Sequence, residues 1–169
     1  LRLFGELENK KFGKKAINLT SVLNGSVPIA CNNENFGRAE NVLAHGQGKN
    51  MGDGWETRRS RGKNSDWLII KCATAAKINK IQIDTHHFKG NYPDQCSIQA
   101  AYINGKSSAN KIINKSKGWK LLLNKSKLHA HKKHNFSNKL MKKNKVNYLR
   151  INIFPDGGIS RIRVFGKVQ

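Results

Sequence analysis

Short runs of apolar residues alternate with turn-forming residues along most of this chain. Residues 78–84 alternate in polarity, so Ile81 and Ile83 share one face of a predicted strand. Residues 66–72 carry a continuous apolar run instead, which is typical of a strand that is buried on both faces. Further strands are predicted at 26–31, 96–103, 119–123, 146–154 and 159–165.

Helical periodicity is nearly absent. Short helices are predicted only at 39–44 and in the lysine-rich stretch 137–145. Many short strands with turn-rich connections and little helix predict an all-β fold, an antiparallel β-sandwich. We expect its core to include the side chains of Ile69, Ile81, Ile83, Ile98, Ile151 and Val164.

The two ends of the chain resemble each other. Residues 1–7 align without gaps to residues 162–168, so a short alternating strand containing Phe-Gly occurs at both ends. A tandem repeat would explain this match, although seven residues can also match by chance. On the repeat interpretation, residues 1–7 are the tail strand of a preceding module, 8–25 are a linker or lead-in, and 26–169 are the module itself.

The length and the cysteine content indicate one domain in a reducing compartment. A chain of 169 residues can bury a substantial core, and no apolar run approaches the roughly 20 residues that span a bilayer. Cys31, Cys72 and Cys96 are widely spaced and odd in number, which argues against a disulfide framework or a zinc knuckle. We therefore expect buried free thiols and a cytoplasmic location.

The formal net charge of +22 raises the question of a nucleic-acid partner. Only eight of the 32 basic residues are arginine, and the lysines occur among asparagine and isoleucine, as in residues 111–115. No RNA- or DNA-binding motif accompanies the charge. The lysine surplus is therefore interpreted as a solvated surface, concentrated in residues 104–145, and no nucleic-acid partner is expected.

The first motif with candidate chemistry spans residues 52–61. It packs two carboxylates, an aromatic ring and three guanidinium groups into ten residues. Glycines on both sides of Asp53 indicate a tight loop with unusual backbone angles. Ion pairs within the loop would explain this composition on structural grounds alone. The functional alternative is a site that uses Asp53, Glu56, Arg58 and Arg59.

The second motif, residues 84–93, follows immediately after the alternating strand. Asp84 and two imidazoles at a strand end suit general acid–base catalysis, and a purely structural His–Asp pair is the alternative. Adjacent His86 and His87 point to opposite sides of an extended chain, so they are not expected to serve one site. Metal binding has no diagnostic spacing here. A separate cluster among lysines is interpreted as solvated surface: His129, His131 and His134.

The third motif, residues 152–163, reads as a strand, a Pro-Asp-Gly-Gly turn and a second strand. Asp156 lies in the turn, where an aspartate is common for structural reasons. Arg161 and Arg163 lie on one face of the second strand, with apolar residues on the other. Paired arginines beside a glycine turn suit the binding of a small carboxylate.

In this order, the motifs resemble the signature segments of the allantoicase family. The matching segments are 51–59, 66–71, 84–93 and 154–166, and residues 37–41 also resemble the stretch that precedes the first of them. The resemblance is specific because several long motifs coincide. It covers roughly residues 26–166 and is weak across 104–145.

The resemblance implies a fold and an activity. Chains of this family carry two jelly-roll (galactose-binding-like) repeats, and this chain resembles the second of them with the last strand of the first attached. The implied reaction is hydrolysis of allantoate to ureidoglycolate and urea, with no cofactor required by the sequence and a divalent metal left open. The implied partners are the substrate, a second repeat in the same chain and further copies in a homo-oligomer. A non-catalytic small-ligand or carbohydrate-binding module is the alternative.

The chemistry of an anionic substrate with two ureido arms suggests roles for individual residues. Asp84 or Glu56 would act as base or activate water, and His87 would protonate the departing urea nitrogen. Arg161, Arg58 or Arg59 would hold the carboxylate. Substrate contacts are expected from Asp53, Arg58, Arg59, Asp156 and Arg161. Convergence of the three motifs on one pocket would favour an enzyme over a binding module.

Overall fold

The elements of this protein are mostly short strands. The computed structural model describes residues 12–13, 15–60, 65–141 and 145–168. The predicted tail strand at 1–7 lies outside these described residues. The strands are β1 (Ile17–Asn18), β2 (Val27–Cys31), β3 (Trp55–Glu56), β4 (Asp66–Asp84), β5 (Gln95–Ala101), β6 (Lys120–Lys127), β7 (Lys133–Phe136), β8 (Val146–Phe154), β9 (Gly158–Ile159) and β10 (Arg161–Val168). The helices are α1 (Ala109–Ser116) and 3-10 turns at Val22–Asn24, Ala39–Leu43 and Met51–Asp53.

The 19-residue strand β4 belongs to both layers of a β-sandwich. Its first half pairs with β2 and β8, both of which face Leu68. Its second half pairs with β10 and β7, both of which face Ile81. The register shifts between Lys71 and Ala76, where the strand passes from one layer to the other. One layer has the order β2–β4–β8–β5–β6 and the other β1–β10–β4–β7, with all these pairs antiparallel, so the predicted antiparallel sandwich is confirmed.

Side chains from both layers meet in one apolar core. Ile83 from β4, Ile151 from β8 and Ile162 from β10 are fully buried in it. Trp55 closes part of the core, and its indole nitrogen donates to the Asn33 carbonyl at 2.8 Å, which satisfies the one polar atom of the ring system. The predicted core residues are all buried: Ile69, Ile81, Ile83, Ile98, Ile151 and Val164.

Helix α1 covers the outer face of the larger layer and was not predicted. Its Ile112 packs against Ile69 and Tyr148 in a second, smaller apolar cluster. Ser108 caps the helix by accepting a hydrogen bond from the Lys111 amide at 3.4 Å. None of the helices in the described part of the chain is long and apolar enough to cross a membrane.

The two predicted helices have different outcomes. The one expected at 39–44 is present as the 3-10 turn Ala39–Leu43. The one expected at 137–145 is wrong for residues 137–141, which form a turn after β7, and residues 142–144 lie outside the described ranges. Lysine-rich composition favours a helix weakly, and here it is overridden because the segment only has to connect two strands.

The segment at 17–25 is part of the folded module and is not a linker, because it begins with strand β1 and packs against the core. Ile17 pairs with Gly166 of β10, and Leu19 is fully buried in the core. Thr20 Oγ1 donates to the Ile162 carbonyl at 2.8 Å. The module therefore begins at or before residue 17, earlier than the boundary at 26 that the sequence predicted, since a two-residue strand leaves almost no alternation to detect.

Lysine and arginine occupy different environments in this fold. The described lysine side chains are exposed, apart from the half-buried Lys145, as the solvated-surface interpretation predicted. Arg150 is buried, stacks over Trp67 at 4.4 Å from the ring centroid, and donates to Ser116 Oγ at 2.7 Å. The planar guanidinium can stack and donate at the same time, which suits it to burial better than an ammonium.

Ile151→Ala tests the shared core. Ile151 is fully buried between β4 and β5, so its truncation leaves a cavity. We expect the free energy of unfolding to fall by about 2–5 kcal/mol in chemical denaturation. The control is Val27→Ala on the exposed side of β2, with an expected change of about 0.5 kcal/mol. Equal losses in the two variants would contradict the proposed core.

Candidate functional site

The loop that carries the first motif, residues 46–57, is held in shape by its own polar groups. Asn50 accepts a hydrogen bond from the Asp53 amide at 3.2 Å and so caps the 3-10 turn. The Lys49 amide donates to Asp53 Oδ2 at 3.0 Å. Pairing of β3 with β9 then fixes Glu56 beside the hairpin of the third motif.

Arg161 ties this loop to the last strand. Its side chain is 3% exposed, and its Nη2 lies 2.9 Å from Asp53 Oδ2. Its Nε donates to the Gly46 carbonyl at 3.2 Å, and its Nη1 donates to the carbonyls of Ser160, at 2.7 Å, and of Asp53. The guanidinium that was expected to hold a substrate carboxylate therefore holds the loop.

Asp84 lies at the end of β4 beside the arginine pair of β10. Its side chain is buried, its Oδ1 accepts a hydrogen bond from the His86 amide at 2.9 Å, and its carbonyl accepts one from the Ser160 amide at 2.8 Å. Burial lowers the pKa of Arg163, as does the charge of Arg161, and the Asp84 carboxylate opposes both effects. We call the adjoining space of about 520 Å³ the Asp84 cavity, and its lining includes Asp84, Arg161, Arg163, His45, Gln82 and Lys133.

A second cavity, of about 480 Å³, brings together residues of all three motifs. We call it the Glu56 cavity, and its lining includes Glu56, Arg59, Asn91, Tyr92 and Asp156. Glu56 is half-buried and its Oε1 accepts a short hydrogen bond from Asn91 Nδ2. Asp156 Oδ2 accepts one from the Ser60 amide at 2.6 Å. The carboxylates are thus oriented by fixed donors, while Arg59 is exposed at the rim.

The adjacent histidines do not point to opposite sides, so that prediction is wrong. They lie in a turn in which His87 has a φ of 72°, and the ring centroids of His86 and His87 are 4.2 Å apart. The His131 ring lies 4.0 Å from that of His86, and the His87 amide donates to His131 Nδ1 at 2.9 Å. We call these three side chains the histidine trio. Burial and the two neighbouring imidazoles lower the pKa of His86, and the Asp84 carboxylate opposes this.

His134 also departs from the sequence interpretation, because it is buried and not solvated. Its Nδ1 lies 3.1 Å from the Ile83 carbonyl, and its Nε2 accepts a hydrogen bond from the His129 amide at 2.9 Å. Desolvation lowers the pKa of His134. His134 is thus a structural residue that connects β7 to the C-terminal end of β4.

Direct contacts join the three motifs, where at least two of them were expected to meet. Asp53 and Arg161 join the first motif to the third, and Glu56 and Asn91 join the first to the second. The predicted site residues do not all line one cavity, however. Glu56, Arg59 and Asp156 line the Glu56 cavity, whereas Asp84 and Arg161 line the Asp84 cavity.

The remaining predicted residues lie outside these two cavities. Arg58 is exposed, and its backbone amide donates to Asn33 Oδ1 at 3.2 Å. His87 lines neither cavity, and its Nε2 lies 2.9 Å from the Gly48 carbonyl. Asn91 and Tyr92 were not among the predicted site residues, although they stand within the second motif.

Sequence comparison gives these residues a family context. The family model described as Allantoicase repeat matches residues 17–169. The chain is 47% identical over 152 residues to a probable allantoicase of Stutzerimonas stutzeri, an alignment that covers 90% of this chain and 46% of that protein. The chain spans about half the length of the curated relatives it matches.

Structural comparison agrees with the sequence comparison. The crystal structure of allantoicase from Saccharomyces cerevisiae is similar with a TM-score of 0.77 at 35% identity, covering 89% of this chain and 43% of that one. A family 32 carbohydrate-binding module from C. perfringens, solved with galactose, is similar with a TM-score of 0.60 at 14% identity, covering 89% and 98%. The second likeness concerns the fold alone, and it supports the jelly-roll, galactose-binding-like architecture.

Arg161→Lys tests the role of the guanidinium as a tie. Lysine keeps the charge but cannot reach the separate carbonyls that the planar group serves, so buried acceptors lose their donors. We expect the free energy of unfolding to fall by about 3 kcal/mol. Arg38→Lys, in an exposed pair with Glu40, is the control and should change it by about 0.5 kcal/mol. An unchanged free energy of unfolding in Arg161→Lys would contradict this role of the guanidinium.

Asp53→Asn tests the same contact through its pH dependence. Partial burial opposes the charge of Asp53, but the Lys49 amide and Arg161 outweigh it, and the pKa is lowered from 3.8. A pKa that is lower in the folded than in the unfolded state stabilises the folded protein at pH values above the unfolded-state pKa. This stabilisation is lost as the pH falls through the folded-state pKa. In urea denaturation the wild type should therefore be more stable than Asp53→Asn at pH 7, and this difference should shrink below about pH 4. A difference that stays constant down to pH 3 would contradict the assignment.

Proposed function

Because this chain belongs to the allantoicase family, we propose that it forms one repeat of a hydrolase that converts allantoate and water to ureidoglycolate and urea. A second, similar repeat in the same protein would account for the remaining length of the relatives. The observation that carries the proposal is the Glu56 cavity, where side chains from all three motifs surround a space of about 480 Å³. That volume lies within the range of small-molecule sites, about 300–1,000 Å³.

Glu56 is the general base in this proposal. Its carboxylate is half-buried, is oriented by Asn91 and faces the cavity. As the oxygen of water bonds to the central carbon of allantoate, Glu56 takes a proton from that water. The carbon–nitrogen bond breaks in the same step, and Glu56 returns the proton to the departing ureido nitrogen, so urea leaves neutral and no net proton is consumed.

Arg59 is the ligand of the substrate carboxylate in this proposal. It is the arginine that lines the Glu56 cavity, and it is exposed at the rim, where no ion pair occupies it among the described residues. A free guanidinium can bind a carboxylate through two parallel hydrogen bonds. Asp156 and Asn91 supply an acceptor and an amide group that suit the ureido arms.

Asp84, Arg161 and His87 are positioning residues in this proposal. Asp84 fixes the His86 amide at the strand end, and Arg161 fixes the loop that precedes Glu56. His87 reaches the Gly48 carbonyl of that loop with its Nε2 at 2.9 Å. Their contacts hold the loop and the strand end near the Glu56 cavity. These contacts favour a positioning role over a role in proton transfer to the substrate.

A cytoplasmic location is part of the proposal. The cysteines Cys31, Cys72 and Cys96 are free thiols. Burial raises the pKa of Cys72 and of Cys96 to about 12, so both stay protonated and unreactive. The fold is thus stabilised without disulfides, which require an oxidising compartment.

Urea release from allantoate by the complete protein tests the function and the base together. Glu56→Gln keeps the shape and the Asn91 contact but removes the basic carboxylate, so turnover should fall on the order of a hundredfold or more. Arg59→Lys should mainly raise KM, because the charge is kept and the two-point contact is lost. Enzyme-coupled detection of urea under steady-state conditions measures both effects.

Glu40→Gln is the matched control for this experiment. Glu40 is an exposed carboxylate paired with Arg38, and its replacement should leave turnover unchanged. Absence of urea release by the wild-type protein would overturn the proposed function. Wild-type turnover in a folded Glu56→Gln variant, with loss of turnover in Asp84→Asn, would move the reaction to the Asp84 cavity instead.

A further inference from the structure

The histidine trio is a cluster of metal-type ligands that lines neither of the two cavities. One ring nitrogen from each of His86, His87 and His131 lies within 4.8 Å of the others. We propose that these three imidazoles bind a first-row transition-metal ion, with Zn²⁺ as the representative, at the junction of two turns. This proposal does not depend on the hydrolytic function.

The backbone beneath the trio is held in place by hydrogen bonds between the two turns. The Thr85 amide donates to the Lys132 carbonyl at 3.0 Å, and the His131 amide donates to the Phe88 carbonyl at 3.0 Å. Thr85 Oγ1 donates to the His129 carbonyl at 2.6 Å. The ligands therefore sit on a fixed frame before any ion arrives, which lowers the ordering cost of binding.

His87 has the protonation pattern of a metal ligand. Its Nε2 lies 2.9 Å from the Gly48 carbonyl, and since a carbonyl only accepts, Nε2 carries the proton. The lone pair of the neutral ring is then on Nδ1. A ligating histidine commonly donates its other ring N–H to a backbone carbonyl in this way, which fixes the ring and raises its basicity.

Binding at His131 requires one exchange of partners. Its Nδ1 accepts a hydrogen bond from the His87 amide at 2.9 Å, so the available lone pair of that ring is occupied. His131 is exposed, and its ring can rotate until Nδ1 contacts the ion. One hydrogen bond is thus replaced by one coordinate bond, and the His87 amide is released.

The donor set selects the class of ion. Three neutral imidazoles suit Zn²⁺, Ni²⁺ or Cu²⁺, whereas Mg²⁺ and Ca²⁺ require oxygen ligands. Around a tetrahedral Zn²⁺ with Zn–N bonds of about 2.0–2.1 Å, ligand nitrogens lie roughly 3.4 Å apart, so the nitrogens of the trio, which lie within 4.8 Å of one another, approach further as the rings rotate onto the ion. Water would complete the coordination, and the Asp84 carboxylate beside the His86 amide supplies a compensating negative charge.

Calorimetric titration of the complete, chelator-treated protein with ZnCl₂ tests this site. His131→Asn removes one ligand, and asparagine tolerates the left-handed backbone that His131 adopts, at a φ of 49°. His86→Asn removes a second ligand. In each variant we expect the loss of one equivalent of bound Zn²⁺, or at least tenfold weaker binding of it. MgCl₂ should give no binding heat at this site in any of these proteins.

His129→Asn is the matched control, because it removes an exposed imidazole two residues from His131 that is not part of the trio. It should bind Zn²⁺ as the wild type does. Thermal unfolding of the metal-free variants verifies that each is folded. A second readout is the visible absorption of bound Co²⁺, which should fall in His86→Asn and persist in His129→Asn. The proposal would be overturned if both folded trio variants bound Zn²⁺ as the wild type does. It would also be overturned if His129→Asn abolished Zn²⁺ binding as fully as the trio variants do.

Discussion

The need to satisfy one buried guanidinium organises the functional end of this sandwich. Arg161 lies on a core strand, and a charge in that position must be paired and hydrogen-bonded on every side. The loop at 46–53 brings it both a carboxylate and backbone carbonyls. The loop is therefore obliged to fold back over β10, and the position of Glu56 at its far end follows from that.

This requirement also separates structural charges from charges that are available to a ligand. Arg150 and Arg161 are buried, and their donors are used within the fold. Arg59 stands at a cavity rim, and Glu56 is held by an amide in place of a cation. A carboxylate that is oriented by an amide and not paired with a cation remains available to a ligand. The same motif composition thus serves two purposes, which residue type alone cannot distinguish.

Much of the fold could be predicted because the alternation of apolar and polar residues along a strand is visible in the local sequence. Ile81 and Ile83 are examples, since their spacing alone assigns them to one face. What escaped prediction depends on distant partners. Helix α1 is rich in lysine and asparagine, and the burial of its Ile112 depends on packing against the outer face of the sheet. His86 and His87 were assigned an extended geometry, but a left-handed residue in the turn brings their rings together. The division of the predicted site residues between two cavities likewise depends on contacts between residues about a hundred positions apart.

The passage of β4 from one layer to the other has a consequence for how this protein opens. A single continuous strand supplies ladder partners to β2 and β8 on one side and to β7 and β10 on the other. Neither layer can detach as a subglobal unit without breaking the backbone hydrogen bonds of the same strand. Amide protons in the paired segments of β4 should therefore exchange only through global unfolding, and the sandwich should behave as one foldon.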